Sequence, residues 1–214
     1  MKTLIAVPCM DMNPVWFTYS LATLNKPKDW TPEDCKLVML SGSLVYESRN
    51  KLVKQAITSR ADYMMWFDSD MIFPADTLEK MIKHMEDGYE IVSGLYFRRA
   101  APFSPVLFKS YEEQEQTIKW EDYDDYPKDR LFEIAACGFG CVCLKTEILL
   151  DLALNYQNWF MPIKNCGEDM SFCFRAQELG HKIWCDPTIK CGHTAYMTVD
   201  EGVWQTMSKK GKKK

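Results

Sequence analysis

Two aspartates separated by one residue follow a short apolar segment in the first third of the chain. Residues 63–67 (YMMWF) are too few for a normal helix and fit a strand buried on both faces. Asp68 and Asp70 then stand at the carboxyl end of that strand, the edge of an open α/β sheet where ligands bind. Side chains at i and i+2 of an extended segment point the same way, so the two carboxylates are predicted to converge on one ligand. Such oxygen donors suit Mg²⁺ or Mn²⁺, whose other positions water and phosphate oxygens can fill. A structural alternative is that the acids only cap the helix predicted to begin at Pro74.

A second group of residues that could do chemistry lies late in the chain. Glu168 and Asp169 stand at the predicted start of a helix that runs to about Leu179. Carboxylates at a helix start interact favourably with the helix dipole, which is a purely structural explanation of the pair. That explanation leaves out His193, an isolated histidine in the small loop 191–193. Following two acidic clusters, His193 is a candidate third metal ligand.

The cysteines are predicted to be reduced. There are nine of them, an odd number, with no C-x-x-C, and several fall within strand-like runs. This pattern indicates small buried hydrophobic residues in a reducing compartment. Two sets could in principle hold zinc, although neither has finger or ribbon spacing. These sets are Cys137, Cys141 and Cys143, and Cys185 and Cys191 with His193.

The elements that must position these residues alternate between strand and helix in the first half of the chain. The predicted elements are strands at 1–8, 37–40, 63–67 and 90–97, and helices at about 13–24 (Asn13 as N-cap, Pro14 as first residue), 47–60 and from 74 onward. The order βαβαβαβ predicts a mostly parallel sheet with helices on both faces, and it places nucleotide chemistry at the strand ends.

The pattern then changes. Residues 98–126 have no helical period and carry Pro102, Pro105 and the acidic segment 121–125, which predicts a small β-rich or looped excursion. The elements predicted after it are strands at 131–136, 139–144 and 182–186, and helices at 146–156 and 168–179.

Length and composition limit the class of protein. A chain of 214 residues with 47% hydrophobic residues can bury the core of one sizeable domain. A net charge of −4 argues against nucleic acid as the main partner. The apolar N-terminal run is too short for a signal peptide, and no window is apolar enough to span a membrane. The reducing compartment indicated by the cysteines predicts a cytoplasmic protein. The sequence sets no oligomeric state.

Taken in order, these features resemble the glycosyltransferases of the GT-A fold, of the type in glycosyltransferase family 2. The resemblance covers about residues 3–194 and is carried by Pro8, Arg49-Asn50, Trp66-Phe67-Asp68-Ser69-Asp70, Gly94-Leu95-Tyr96, Gly167-Glu168-Asp169 and Gly192-His193. It implies an α/β, Rossmann-like GT-A fold in one domain over 1–208. Within that domain, 1–100 would bind the nucleotide sugar and 101–208 the acceptor, and 209–214 would form a basic, solvated tail.

The resemblance also implies the reaction and the roles of residues. A hexosyltransferase would move a sugar from a nucleotide sugar, by preference a UDP-sugar, to a hydroxyl of a glycan or another acceptor. Mn²⁺ or Mg²⁺ would be held by Asp68, Asp70 and His193, with Asp70 the most direct ligand and Asp68 on either the ribose or the metal. Asp169 would be the base, beside Glu168, and an available base favours inversion. The implied donor-binding residues are Pro8, Arg49, Asn50, Asp68, Ser69, Asp70 and Gly94, and Tyr96, Arg98 and Arg99 would frame the donor or acceptor side. A solvated arginine at a helix start is the structural alternative for Arg49.

Two enzyme classes fit less well, and one binding class stays open. A haloacid-dehalogenase-type phosphatase also has D-x-D after a strand, but it expects Thr or Val where this chain has Ile72. A sugar nucleotidyltransferase should have a Gly-rich, Arg-containing loop after the first strand, where this chain has residues 9–12 (CMDM). A non-catalytic nucleotide-sugar-binding module would share the metal set, but it would not need Asp169.

Overall fold

The fold is a mixed α/β structure. A computed structural model describes residues 2–42, 44–196 and 198–210, of which 206–210 are described by their backbone alone. The strands are β1 (Thr3–Cys9), β2 (Cys35–Ser41), β3 (Tyr63–Phe67), β4 (Met71–Ile72), β5 (Ile91–Leu95), β6 (Leu107–Glu113), β7 (Ile118–Asp122), β8 (Phe132–Ile134), β9 (Ala136–Cys137), β10 (Cys141–Lys145), β11 (Ile183–Lys190) and β12 (Gly192–His193). The helices are α1 (Val15–Ala22), α2 (Val45–Thr58), α3 (Thr77–Glu86), α4 (Thr146–Asn155), α5 (Glu168–Glu178) and α6 (Glu201–Lys210).

The central sheet has seven strands in the order β2-β1-β3-β10-β5-β11-β8. β1 runs parallel to β2 and β3, and β5 runs parallel to β11. β10 lies antiparallel between β3 and β5, and β8 is antiparallel to β11. The predicted mostly parallel sheet is therefore confirmed, with two strands reversed.

Each face of the sheet packs against helices because side chains alternate along its strands. In β3, Met64 and Trp66 enter one core cluster, with residues of α2, α4 and α5, while Met65 and Phe67 enter the other, with residues of α1 and α3. Burying a large apolar side chain contributes roughly 1.5–3 kcal/mol, and these four are completely buried. The prediction that residues 63–67 form a strand buried on both faces is confirmed.

The predicted β-rich excursion is a three-stranded sheet in the order β7-β6-β9. The segment 131–136, predicted as one strand, is divided between two sheets. Phe132–Ile134 pairs with β11, whereas Ala136–Cys137 pairs with β6. The backbone N–H of Ala135, between them, donates to the carbonyl of Phe108 at 2.7 Å. The chain thus crosses from one sheet to the other here and joins them.

Several ends of elements differ from the prediction. α1 begins at Val15 with Pro14 as its N-cap, α2 begins two residues earlier than predicted, and α3 begins only at Thr77. β11 continues past Asp186 to Lys190 through an irregularity in its pairing with β5. α6 was not predicted, and it takes in Lys209 and Lys210 of the predicted tail. Residues 211–214 of that tail lie outside the described residues, as does Ser43 of the predicted exit loop after β2.

All nine cysteines fall in the described part of the chain and are free thiols, as predicted. In that same part, every helix is too short or too polar to cross a bilayer.

Candidate active site

A cavity of about 400 Å³ opens where β1 and β3 end and α5 begins. It is lined by Pro8, Cys9, Met10, Gly42, Val45, Ser48, Arg49, Asp68, Ser69, Asp70, Arg99, Glu168 and Asp169. Four carboxylates face two guanidiniums in this set, which leaves an excess of two negative charges. A larger hollow, of about 620 Å³, lies at the opposite end of β3, around Asp62, Tyr63 and Lys145, away from these acids.

Asp68 and Asp70 do not point in the same direction, which corrects the prediction. The chain turns after β3: the N–H of Met71 donates to the carbonyl of Asp68 at 3.1 Å, so residues 68–71 are not extended. Asp68 consequently faces Arg49, whose Nη2 lies 2.9 Å from Oδ1 and 3.2 Å from Oδ2. Asp70 faces the other way, towards Arg99 and His193.

Arg49 lies beneath the cavity rather than in solvent, so the solvated alternative is wrong. Its side chain is 2% exposed, and its Nε donates to Glu168 Oε1 at 3.4 Å. The guanidinium carbon lies 5.4–5.7 Å from the ring centroids of three buried aromatic residues, Trp66, Phe139 and Phe160. Burial opposes the charge, but the neighbouring carboxylates, Asp68 first, outweigh it and raise the pKa of Arg49. The buried guanidinium of Arg49 thus links Asp68, at the end of β3, to Glu168, at the start of α5.

A two-stranded sheet brings His193 to Asp70. β12 pairs antiparallel with β4, with His193 opposite Met71, and the N–H of Thr194 donates to the carbonyl of Asp70 at 2.9 Å. His193 Nδ1 lies 2.9 Å from the carbonyl oxygen of Phe97, and Nε2 lies 3.4 Å from Asp70 Oδ2. His193 borders a neighbouring hollow of about 420 Å³, which shares Arg99 with the main cavity.

The two aspartates of this turn have opposite electrostatic environments. Burial raises the pKa of Asp68 to about 6, although Arg49 offsets part of the effect. Burial also acts on Asp70, but the hydrogen bond and charge of His193, with the charge of Arg99, hold the pKa of Asp70 below its ordinary value. Burial lowers the pKa of His193, and Asp70 and the Phe97 carbonyl outweigh that effect and raise it. Asp70 is therefore the acid that stays ionised over the wider pH range.

Glu168 and Asp169 are held at the start of α5 and have different surroundings. Arg175, further along α5, donates to the carbonyl oxygens of Trp159 (3.0 Å) and Met161 (2.6 Å), which fixes the loop that precedes the helix. Glu168 bonds to Arg49, and burial followed by the charge of Asp169 raises the pKa of Glu168. The Asp169 carboxylate, which lines the cavity, has no hydrogen-bond or ion-pair partner among the described residues.

The wall behind Asp169 is built from glycines and a tyrosine. The Tyr96 hydroxyl accepts a hydrogen bond from the backbone N–H of Gly140 at 3.1 Å. A Cβ atom at Gly138 would collide with that hydroxyl and lie 3.3 Å from Asp169 Oδ2. Burial, with the charges of Asp169 and Asp68, raises the pKa of Tyr96 well above its ordinary value, so this hydroxyl keeps its proton. At Gly138 and Gly140 the absence of a side chain lets the backbone pass close to the Tyr96 ring and hydroxyl.

The other residues predicted to bind the donor fall into two groups. Pro8 and Ser69 line the cavity. Asn50 is buried, and its Oδ1 accepts a hydrogen bond from the N–H of Phe160 at 3.0 Å. Gly94 is buried within β5, where a Cβ would lie 3.1–3.2 Å from atoms of Cys141 and Ile189. Asn50 and Gly94 therefore have packing roles that their sequence pattern did not distinguish from ligand contact.

The chemistry of Asp70 and His193 fits a divalent ion. With Nδ1 donating to the Phe97 carbonyl, the neutral imidazole presents its Nε2 lone pair on the side of Asp70. Among the described residues, no three His, Cys, Asp or Glu side chains converge to hold an ion on their own, the two cysteine sets considered for zinc included. The predicted set of three is therefore corrected to two, because Asp68 is turned towards Arg49. Water and diphosphate oxygens would complete the shell of an ion such as Mn²⁺ or Mg²⁺.

Arg99 is the residue of this site whose place the sequence analysis left open. Its Nη1 donates to Asp70 Oδ2 at 2.8 Å, whereas the neighbouring Arg98 donates to Asp122 Oδ1 at 2.7 Å. The two side chains thus have different partners, and the position shortly after the end of β5 was the available signal for Arg99.

The fold and this acidic cavity define an α/β protein with a candidate enzyme site at the carboxyl ends of its strands. The model of the family described as Glycosyl transferase family 2 matches residues 29–142, more than half of the chain. The chain belongs to glycosyl transferase family 2. No curated protein sequence matches it significantly.

Solved structures of low identity share the fold. A197 from STIV superposes with a TM-score of 0.65 at 19% identity, covering 94% of this chain and 87% of that one. GalNAc-T7, solved with UDP, GalNAc and Mn²⁺, gives 0.62 at 10% identity, over 92% of this chain and 44% of that one. TarS 1-349 from S. aureus, in complex with UDP-GlcNAc, gives 0.56 at 16% identity, over 97% and 64%. The chain thus spans less than two thirds of the last two proteins, and the GT-A fold is what it shares with them.

Proposed function

We propose that this protein transfers a hexosyl group from a UDP-sugar to an acceptor hydroxyl in a metal-dependent, inverting reaction. Family membership supports the transferase class, and two structures of the same fold, solved with UDP or UDP-GlcNAc, support the donor class. The observation that carries the proposal is the Asp169 carboxylate, which has no partner among the described residues and lies in the same cavity as Asp70.

The charge of the cavity supports a metal requirement. Four carboxylates against two guanidiniums would repel a diphosphate, so an anionic donor needs a cation between itself and these acids. Asp70 and His193 are the residues that would hold Mn²⁺ or Mg²⁺. When bound, such an ion offsets the negative charge that develops on the leaving diphosphate.

The chain's own residues provide the rest of the reaction. Asp169 accepts the proton of the acceptor hydroxyl, whose oxygen then forms a bond to the anomeric carbon of the sugar. The bond from that carbon to the diphosphate oxygen breaks at the same time, and the nucleoside diphosphate leaves with the electron pair. Glu168 is held by Arg49, so we assign it to positioning α5 rather than to proton transfer. Attack by the hydroxyl on the face opposite to the diphosphate inverts the configuration.

The proposal divides one domain, residues 1–208, between the two substrates. Asp68 and Asp70 belong to the donor half (1–100), and Glu168 and Asp169 belong to the acceptor half (101–208), which would receive a glycan or another hydroxyl compound. Nine free thiols support a reducing, cytoplasmic compartment.

The test is release of nucleoside diphosphate from a panel of nucleotide sugars, with Mn²⁺ or EDTA and with candidate acceptors. We expect release from a UDP-sugar with Mn²⁺, and loss of release in EDTA. Calorimetry of the same donor should give weaker binding in EDTA. Equal donor affinity with and without metal would refute the metal requirement.

The same assay distinguishes the alternatives. A phosphatase would liberate inorganic phosphate from a sugar phosphate. A binding module would bind the donor in a metal-dependent way and release nothing, even at high protein concentration and over a long incubation.

A further inference from the structure

Two consecutive arginines follow β5 and have different partners. Arg98 is anchored outward, to Asp122 at the end of β7, and its N–H donates to the carbonyl of Ser104 at 2.9 Å. Arg99 points into the cavity, where Nη1 donates to Asp70 Oδ2 at 2.8 Å. The backbone that carries both arginines is closed by a bridge between Phe97 and Pro105. Arg99 is thus an exposed side chain on a backbone that is tied to residues 104 and 105.

Arg99 donates its hydrogen bond to Asp70 Oδ2, the oxygen that a metal held by Asp70 and His193 would also contact. His193 Nε2 approaches the same Oδ2 atom, at 3.4 Å, so a cation shared by Asp70 and His193 would come to the oxygen where Arg99 donates. The Arg99 side chain is 56% exposed, and the Asp70 contact is the one ion pair that the described residues give it. An exposed pair of this kind is weak and can be exchanged for a better partner.

We infer that Arg99 takes the place of the divalent cation at Asp70 when the donor is absent and moves to the donor diphosphate when the cation binds. This inference rests on the proposed function, because it needs a metal at Asp70. Arg99 lines the main cavity, so its displaced guanidinium still lies within the space for the diphosphate. A guanidinium forms bidentate, charge-assisted hydrogen bonds to phosphate oxygens. The same residue thereby opposes binding of the metal alone and favours binding of the metal together with the donor.

The test measures binding rather than turnover, on the full chain. Mn²⁺ binding is followed by electron paramagnetic resonance, and binding of uridine diphosphate with Mn²⁺ by calorimetry. Arg99→Gln should bind Mn²⁺ alone about two- to five-fold more tightly than wild type, the range for an exposed ion pair. The same variant should bind uridine diphosphate with Mn²⁺ about ten-fold more weakly, because a charged hydrogen bond is lost. Arg99→Lys, which keeps the charge, should lie between wild type and Arg99→Gln in both measurements.

Arg98→Gln is the matched control, since it removes the same charge from a side chain that pairs with Asp122 and does not line the main cavity, contrary to what the family resemblance implied for Arg98. It should leave both affinities within about two-fold of wild type, because its pair with Asp122 is exposed and weak. Equal effects of the two variants would indicate a general change of charge and overturn the inference. The inference is also overturned if Arg99→Gln binds Mn²⁺ with the same affinity as wild type. It is overturned as well if neither protein binds Mn²⁺ detectably. Asp70→Asn distinguishes the two proposals: if it binds Mn²⁺ as wild type does, the metal site itself is wrong, whatever Arg99 does.

Discussion

Asp169 and Glu168 are neighbours in sequence, but their side chains have different surroundings. Successive side chains on a helix diverge by about 100°. Glu168 reaches Arg49 at 3.4 Å, and Asp169 faces the cavity beside Gly138. A base must be free to accept a proton. Asp169 meets this condition better than Glu168, because Glu168 is already bonded to Arg49.

Substitution of the two acids should therefore have separable effects. Asp169→Asn should keep metal-dependent affinity for uridine diphosphate close to that of wild type, while the transfer rate falls at least about 10²-fold. Glu168→Gln should act mainly on acceptor KM or on stability, by about 1 kcal/mol for one weakened hydrogen bond to Arg49. Calorimetry, initial rates and thermal unfolding of both variants test this. Normal transfer by Asp169→Asn with none by Glu168→Gln would reverse the assignment.

At the scale of elements, the sequence predicted the strands and helices that have a local pattern of residues. It did not predict the features that depend on pairing between distant parts of the chain. The apolar run of β3 and the acids at the start of α5 were predicted, because burial and helix starts leave local patterns. The turn at 68–71 was not predicted, and it separates Asp68 from Asp70. β4 and β12 have two residues each, which is too short for any periodicity, and their pairing places His193.

Arg49 illustrates the same limit. An arginine near the start of an amphipathic helix is usually solvated. This one is buried by Trp66, Phe139 and Phe160, three residues far apart in sequence, and by acids from two elements. Its place follows from the packing of α2 against the rest of the domain, which composition and spacing do not contain.

The packing of β9, β10 and Tyr96 gives a prediction for Gly138. Gly138→Ala should destabilise the protein by about 1–3 kcal/mol, the usual cost of overpacking, because the new methyl group collides with the Tyr96 hydroxyl. The midpoint temperature of thermal unfolding should then fall by roughly 2–4 °C for each kcal/mol of lost stability in a chain of this length.

The control for this prediction is a double-mutant cycle with Tyr96→Phe, which removes the colliding oxygen. The double variant should lose less stability than the sum of the two single variants. Additive losses would mean that the collision is relieved elsewhere, and the account of this wall would be wrong.

At the scale of the whole molecule, the site buries several carboxylates close together, which costs stability. Four carboxylates converge on a cavity around one fully buried arginine, and the ordinary pKa of Asp68, 3.8, is raised to about 6 by burial. A carboxyl group with a raised pKa in the folded state binds its proton more tightly there than in the unfolded chain. Its contribution to stability is therefore complete below about pH 4 and is lost as the pH rises through about 6.

Asp68→Asn should remove this pH dependence. We subtract the free energy of unfolding of wild type from that of the variant at each pH. This difference should be larger at pH 7 than at pH 4.5. The change in that difference has an upper limit of about 3 kcal/mol for two pKa units. Thermal unfolding of both proteins at the two pH values measures it. A difference that stays constant with pH would show that Asp68 titrates normally.

The antiparallel strand in the middle of the sheet has a consequence for synthesis on the ribosome. As the chain emerges, β3 can pair with β1 on one side, but its other edge waits for β10, and β5 waits for both β10 and β11. Until Cys141–Lys145 has been made, the strand that leads into Asp68 and Asp70 is an open apolar edge, which is the kind of surface that chaperones protect. Residues 1–100 are therefore not a separable unit of folding, and the turn at 68–71 gains its final neighbours only when the chain has been translated as far as His193 and Thr194.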